Sequence, residues 1–228
     1  MSEALSDILI FGAGFGTRMA PLTDTAPKPL IPVAGQALVD HAIALATEAE
    51  LQVHVNAHYL ADQMEQHLNG RARVHVEHPD ILDTGGGLKA ALPKMTGDPV
   101  ATLNSDAVWK GPNPMTLLRQ AWRPEMDALL LLIPIEQTVG YHRSGNFARD
   151  DDGNLRRSQS GEVYTGAQLI RKDPVLDHHD AVFSLNKIWD QLLGKGTLFG
   201  VSYPGQWADV GTPAGISEAE AMLGQTHV

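Results

Sequence analysis

The sequence contains no cysteine, which excludes disulfide staples and a thiolate nucleophile. It is also short of cations: 17 Lys and Arg stand against 27 Asp and Glu, for a formal net charge of −10. That balance argues against a nucleic-acid-binding surface and against attachment to an anionic membrane. No apolar run approaches the length of a bilayer span. The N-terminus, Met-Ser-Glu-Ala-Leu-Ser-Asp, lacks a basic region followed by a long apolar stretch, so the expected location is the cytoplasm. Two well-known phosphate loops are missing as well. A dinucleotide fingerprint would need a third glycine where Thr17 stands, and no Gly-Lys-Ser/Thr tripeptide of a P-loop occurs.

What is present starts with Gly12-Ala-Gly-Phe-Gly-Thr-Arg-Met-Ala-Pro-Leu-Thr-Asp-Thr-Ala-Pro-Lys-Pro-Leu-Ile-Pro-Val33, directly after the apolar run Ile8–Phe11. The run reads as a buried strand. Glycines 12, 14 and 16 let the backbone pass close to a ligand and turn N–H groups toward it, a nest suited to polyphosphate oxygens. Arg18 and Lys28 lie in the same segment, and Pro27 and Pro29 restrict the backbone on either side of Lys28. An acidic chain that collects cations here points to a triphosphate, and such a site would recruit a divalent metal.

At 228 residues, with 43% hydrophobic and 19% charged residues, the chain fits one large domain with a substantial core. The expected division is a nucleotide-binding half over about 7–125 and a half for the second substrate over about 126–228. Periodicity predicts a helix over Gln36–Glu50, a strand over Gln52–Asn56, a helix over Tyr59–Leu68 and a strand over Arg73–Glu77. A short helix over Gly87–Leu92 and strands over Val100–Leu103 and Ala128–Ile133 follow. This alternation implies an α/β fold, a Rossmann-like, mainly parallel mixed sheet flanked by helices. Further on, Asn146–Arg149 and Asn154–Arg156 read as a hairpin, with Asp150–Gly153 as its solvated tip. Val163–Ile170 and Leu198–Tyr203 read as strands, Ser184–Leu193 as a helix, and Thr212-Pro213 opens a last helix running to about Leu223.

Asn104-Ser105-Asp106 follows the Val100–Leu103 strand, at the sheet end where open α/β folds bind ligands. Asp106 there is a natural Mg²⁺ ligand. Leu82-Asp-Thr-Gly-Gly-Gly87 places consecutive glycines before a helix, leaving N–H groups for a flat ligand. The ten histidines read as scattered surface or half-buried residues rather than a metal site, with His58 the one nearest the ligand end.

The Gly12–Val33 segment resembles the activation motif of the sugar-1-phosphate nucleotidyltransferases (GT-A-like fold), G-x-G-T-R-(M/L)-x-P-L-T-x-x-x-P-K-P-(L/M)-x-P, over some twenty positions. The resemblance extends from Ile8 to Leu223. It implies that Arg18 and Lys28 are catalytic and that Gly12, Ala13, Gly14, Gly16 and Thr17 contact the nucleotide. Trp207-Ala-Asp-Val-Gly-Thr-Pro213 is similar to the W-x-D-(V/I)-G-T-P element, whose aspartate, here Asp209, completes the Mg²⁺ site with Asp106. Glu77, Thr84, Gly85 and Gly86 correspond to the base-binding loop. Asn104, Gly145 and Asn146 with Thr165 and Gly166 correspond to the sugar-binding elements. A Glu-Glu-Lys-Pro run that binds the sugar phosphate in many members is absent, and Arg157 or Arg156 is its candidate replacement, beside the bland reading of a solvated hairpin arm.

Within that family the short C-terminus, with no β-helix of hexapeptide repeats, the Asp83–Gly87 loop and the missing Glu-Lys-Pro together look most like the members of bacterial cell-wall (peptidoglycan) recycling. The implied reaction transfers UMP from UTP to N-acetylmuramate 1-phosphate, giving a UDP-sugar and pyrophosphate. Asn146 departs from those members, which carry an aspartate there. Alternatives are dTTP-, GTP- or CTP-dependent transfer to glucose 1-phosphate, mannose 1-phosphate or phosphocholine, or a non-catalytic sugar-nucleotide sensor. The metal pair argues against a sensor. No macromolecular partner is expected beyond a monomer or small homo-oligomer.

Overall fold

A computed structural model describes residues 5–224. The first strand, β1 (Asp7–Phe11), is buried along nearly its whole length and enters the glycine segment directly. A small hairpin, β2 (Pro32–Val33) and β3 (Gln36–Ala37), closes that segment and leads into α1 (Leu38–Glu48). The helix is shorter than its periodicity suggested because Gln36 and Ala37 pair with Pro32 and Val33 instead. There follow β4 (Gln52–Ala57), α2 (Ala61–Leu68), β5 (Arg73–Val76), α3 (Asp83–Ala91) and β6 (Val100–Asn104).

The chain continues through β7 (Ala107–Lys110), α4 (Pro114–Ala121), β8 (Ala128–Ile133) and β9 (Thr138–Val139). The hairpin β10 (Phe147–Arg149) and β11 (Leu155–Arg157) comes next, then β12 (Val163–Ile170), α5 (Asp173–Leu176) and α6 (Leu185–Lys195). The described chain ends with β13 (Leu198–Ser202), β14 (Gln206–Asp209) and α7 (Pro213–Leu223).

Seven strands form one sheet in the order β13-β8-β12-β6-β1-β4-β5. All neighbours are parallel except β12, which runs antiparallel to both β6 and β8. The reversal has a simple cause: β8 reaches β12 through the β10–β11 hairpin, with no crossover helix to carry the chain back. Buried residues pack on both faces of the sheet, with Ile8, Ile10 and Val55 among those on one side and Leu9, Leu130 and Leu132 on the other. Among the described residues, no helix is long and apolar enough to cross a membrane.

Two irregularities shape the ligand end. The register of β12 against β8 shifts between Tyr164 and Gln168, and Gly166 within that shift has φ +87°. A Cβ at Gly166 would lie 2.7 Å from the Asn104 side chain, so the glycine makes room for Asn104. A second sheet, β7-β14-β9, lies apart from the main one. Its strands, two to four residues long, come from distant parts of the chain and were not read from the sequence.

Candidate active site

A cavity of about 340 Å³ opens where β1, β4 and β6 end, lined by the glycine segment, Arg18, Lys28, Asn56, Glu77, Thr84 and Asp106. The segment is shaped by three short turns, Thr17–Met19, Leu22–Asp24 and Lys28–Leu30. Gly16 sits at φ +64°, and a Cβ there would come within 2.8 Å of the Lys28 Cβ. That close approach lays the Lys28 stem across the loop and carries its ammonium to Asp106, with Nζ donating to Oδ2 at 2.7 Å. Gly12 N–H donates to Asn56 Oδ1 at 2.8 Å, so this donor of the nest is already used.

Asn56 continues the chain of bonds. Its Nδ2 donates to Glu77 Oε1 at 2.7 Å, and Glu77 Oε2 accepts from Leu82 N–H at 2.8 Å. Both side chains are buried, so each polar atom needs these partners. His58 holds the Glu77 carbonyl through Nδ1 and stacks edge-on against Phe15. It supports this wall without lining the cavity.

The glycine triplet corrects one expectation. Helix α3 begins at Asp83, so Gly85, Gly86 and Gly87 lie inside its first turns rather than ahead of it. The N–H groups of Gly85 and Gly86 both donate to the Phe183 carbonyl, at 2.8 and 3.1 Å, and are not free for a ligand. A Cβ on Gly85 would meet the Phe183 ring at 2.3 Å, and one on Gly86 the Ala181 carbonyl at 2.3 Å. These glycines let the segment before α6 pack on α3, and neither lines a cavity. Thr84, by contrast, faces the cavities, and its Oγ1 accepts from Leu185 N–H.

A second cavity of about 300 Å³ adjoins the first. The two share Phe11, Asp83, Thr84, Asn104 and Asp106. Asp209 lines the second cavity, delivered by sheet pairing: on β14 it stands opposite Ala107 of β7, and Val210 N–H donates to the Asp106 carbonyl at 2.9 Å. Burial pushes the Asp209 pKa up and the neighbouring Asp106 charge adds to this, while Lys28, Arg143 and Arg18 pull the other way. Asn146 and Arg157 also line this cavity. Asn146 Oδ1 accepts from Tyr164 N–H at 2.8 Å.

The structure places the remaining expected sugar residues behind the wall. Thr165 is fully buried and donates to the Leu131 carbonyl, and Gly166 serves the bulge. Gly145 backs onto Gly161, where a Cβ would lie 2.0 Å from the carbonyl oxygen. Arg156 projects from the opposite face of its strand to Arg157 and lines neither cavity. Two contributors were missed. Arg143, whose Nη2 donates to Asp209 Oδ2 at 3.2 Å, belongs to no motif and could be suspected only from its place just before Ser144-Gly145. Asn56 carried a clearer signal, an amide near the carboxyl end of a strand, where open α/β sheets bind ligands.

A sheet with ligand cavities at its strand ends, a cationic glycine loop and a carboxylate pair defines a nucleotide-handling transferase. The chain matches the MobA-like NTP transferase domain over residues 8–144 and belongs to that family. It is 35% identical to the N-acetylmuramate alpha-1-phosphate uridylyltransferase of Caulobacter vibrioides, covering 99% of this chain and 100% of that one. It is 29% identical to the enzyme of the same name from Neisseria meningitidis, over 95% and 97% of the two chains. In fold it is similar to HddC from Yersinia pseudotuberculosis, solved with GMP-PN, with a TM-score of 0.78 at 18% identity over 96% and 100% of the chains. The protein is a nucleotidyltransferase.

Proposed function

We propose that this protein transfers UMP from UTP to N-acetylmuramate 1-phosphate, releasing pyrophosphate. The observation that carries this reading is the pair of adjoining cavities that meet at Asp106, one bearing Arg18 and Lys28 and the other Arg143 and Arg157. Two anionic substrates held side by side need this distribution of cations. The relatives from Caulobacter vibrioides and Neisseria meningitidis support the choice of UTP and of the sugar. In this reading residues 7–125 supply most of the nucleotide side, and residues 126–228 much of the acceptor side. UTP is a cytoplasmic metabolite, and the reaction is proposed for that compartment.

Asp106 and Asp209 fit a divalent cation. They are brought together by β7–β14 pairing, and the Asp106 charge adds to burial in raising the cost of charge on Asp209, which a cation between them would relieve. Among the described residues no cluster of three or more His, Cys, Asp or Glu could hold a metal, so phosphate oxygens and water would complete the shell, as Mg²⁺ prefers. When bound, Mg²⁺ would supply Lewis-acid charge to the reacting phosphates.

The chain's own residues do the rest. The acceptor phosphate oxygen attacks the α-phosphorus of UTP in line, and pyrophosphate leaves from the opposite side, so the task is positioning and charge neutralisation. Arg18 meets the charge that grows on the departing pyrophosphate. Lys28 serves the α-phosphate, exchanging its Asp106 contact for the nucleotide. Arg143, bonded to Asp209, replaces the missing Glu-Lys-Pro lysine at the sugar phosphate. Glu77, fixed by Asn56, faces the base with Thr84.

The test is pyrophosphate release with UTP, GTP, dTTP and CTP against N-acetylmuramate, N-acetylglucosamine, glucose and mannose 1-phosphates. The highest kcat/KM is expected for UTP with N-acetylmuramate 1-phosphate. Preference for a hexose without the acetamido group would overturn the sugar, and preference for GTP or dTTP the base.

A further inference from the structure

We propose that Arg157 forms a subsite for a carboxylate on the acceptor sugar, so that it selects a carboxylated sugar phosphate over its neutral counterpart. This rests on the reading above, in which the acceptor is N-acetylmuramate 1-phosphate. That sugar is N-acetylglucosamine 1-phosphate with a lactyl ether on O3, so it carries two anionic ends, one on C1 and one off C3. The acceptor cavity holds two arginines to match.

The two are held at different parts of the wall. Arg143 donates to Asp209 and lies 5.0 Å from the Tyr141 ring centre, at the end where the phosphate reacts. Arg157 makes a separate set of contacts that shares no residue with Arg143's. Its Nε and Nη2 donate to Asp190 Oδ1 at 3.0 and 2.7 Å, and Nη2 also donates to Asn186 Oδ1 at 3.0 Å. Its guanidinium lies over the Phe147 ring at 4.7 Å and 5.9 Å from the centre of Trp189.

Two of its nitrogens are thereby anchored. Nη1 has no hydrogen-bond partner among the described residues, and the side chain lines the cavity. With Nε and both Nη2 hydrogens spent on Asp190 and Asn186, the guanidinium fork is held in orientation while its two Nη1 hydrogens stay unspent, and a carboxylate oxygen can accept from them in a charge-assisted bond. The sugar phosphate already has Arg143 beside Asp209, which leaves Arg157 for the second anion. Asp190 orients the guanidinium and also lowers its attraction for an anion.

The experiment compares kcat/KM for N-acetylmuramate 1-phosphate and N-acetylglucosamine 1-phosphate, both with UTP, in wild type, Arg157→Gln, Arg157→Lys and Asp190→Asn. Taking the ratio within each protein cancels any misfolded fraction. Arg157→Gln should lower the selectivity by roughly 10- to 100-fold, mainly through KM of the carboxylated sugar. Arg157→Lys should retain part of it, since charge without the fork remains. Asp190→Asn should raise it, because an amide oxygen still orients the guanidinium while the competing charge is gone. Equal losses on both sugars in Arg157→Gln would overturn the subsite and assign Arg157 to the shared phosphate or to packing. A wild type without preference for the carboxylated sugar would overturn the acceptor reading itself, and the subsite with it.

Discussion

Lys28 and Asp106, 78 positions apart in the chain, are joined by a 2.7 Å ion pair at the boundary between the two cavities. A cation from the glycine loop and a carboxylate after β6 hold each other in place before either meets a phosphate. In the proposed reaction, substrate and a divalent cation would have to separate them. Asp106→Asn is expected to lower kcat/KM by about 10³-fold, because it removes a charge at the reacting phosphates. The fold should persist by circular dichroism, since Val210 N–H bonds the backbone carbonyl of Asp106, not its side chain. Near-normal turnover in the variant, or in excess chelator, would remove Asp106 from the metal site.

Arg18 has a different character. It lines the first cavity beside Gly211, where a Cβ would lie 3.1 Å from its Nη1. If it meets charge that develops only as pyrophosphate departs, Arg18→Ala should lower kcat by about 10²- to 10³-fold and change KM for UTP little. A variant altered only in KM would show that Arg18 binds the ground state.

Asn56 is expected to couple the base wall to the phosphate loop. Asn56→Leu would leave Gly12 N–H without its acceptor and Glu77 Oε1 without its donor, each buried loss costing about 1–3 kcal/mol. The melting temperature should fall and KM for UTP should rise more than kcat falls. Saturation kinetics in UTP decide the second point, and an unchanged KM would make Asn56 purely structural.

Gly86→Ala tests the corrected role of the glycine triplet. The added methyl would meet the Ala181 carbonyl at 2.3 Å, a backbone atom that cannot swing aside. Destabilisation of about 1–3 kcal/mol is expected from overpacking, measured by denaturant unfolding. Wild-type stability would mean that the 181–183 segment is not packed on α3.

Far from the cavities, Asp7 accepts from His54 Nε2 at 3.1 Å, and His54 Nδ1 lies 2.8 Å from His75 Nε2. Burial lowers the His75 pKa to about 4, with the His54 neighbour, Lys94 and Arg73 adding to the shift. Unfolded His75 takes up a proton below its ordinary 6.5 while the folded residue resists until about 4, so stability should fall as pH drops through that window. His75→Gln should flatten the fall in melting temperature between neutral and mildly acidic pH. An unchanged slope would assign the dependence to other groups.

The local pattern carried the alternating strands and helices because each element records its own period. It missed β7, β9 and β14, short strands that pair with one another across distant parts of the chain. It also placed the start of α3 too late, because glycines read as a loop. In the structure their small size serves a helix packed against Phe183.

What the sequence by itself determined is the activation segment: glycines, prolines, Arg18 and Lys28 stand within 22 residues, and their constraints on the backbone are local. Only the tertiary structure decided what those cations face. Asp209 reaches Asp106 through strand pairing across about a hundred residues, and Arg143 meets Asp209 through the turn before the hairpin. It also decided that the Gly85 and Gly86 donors are spent on Phe183. Such contacts arise when distant segments are buried together, and no local periodicity encodes which of them will meet.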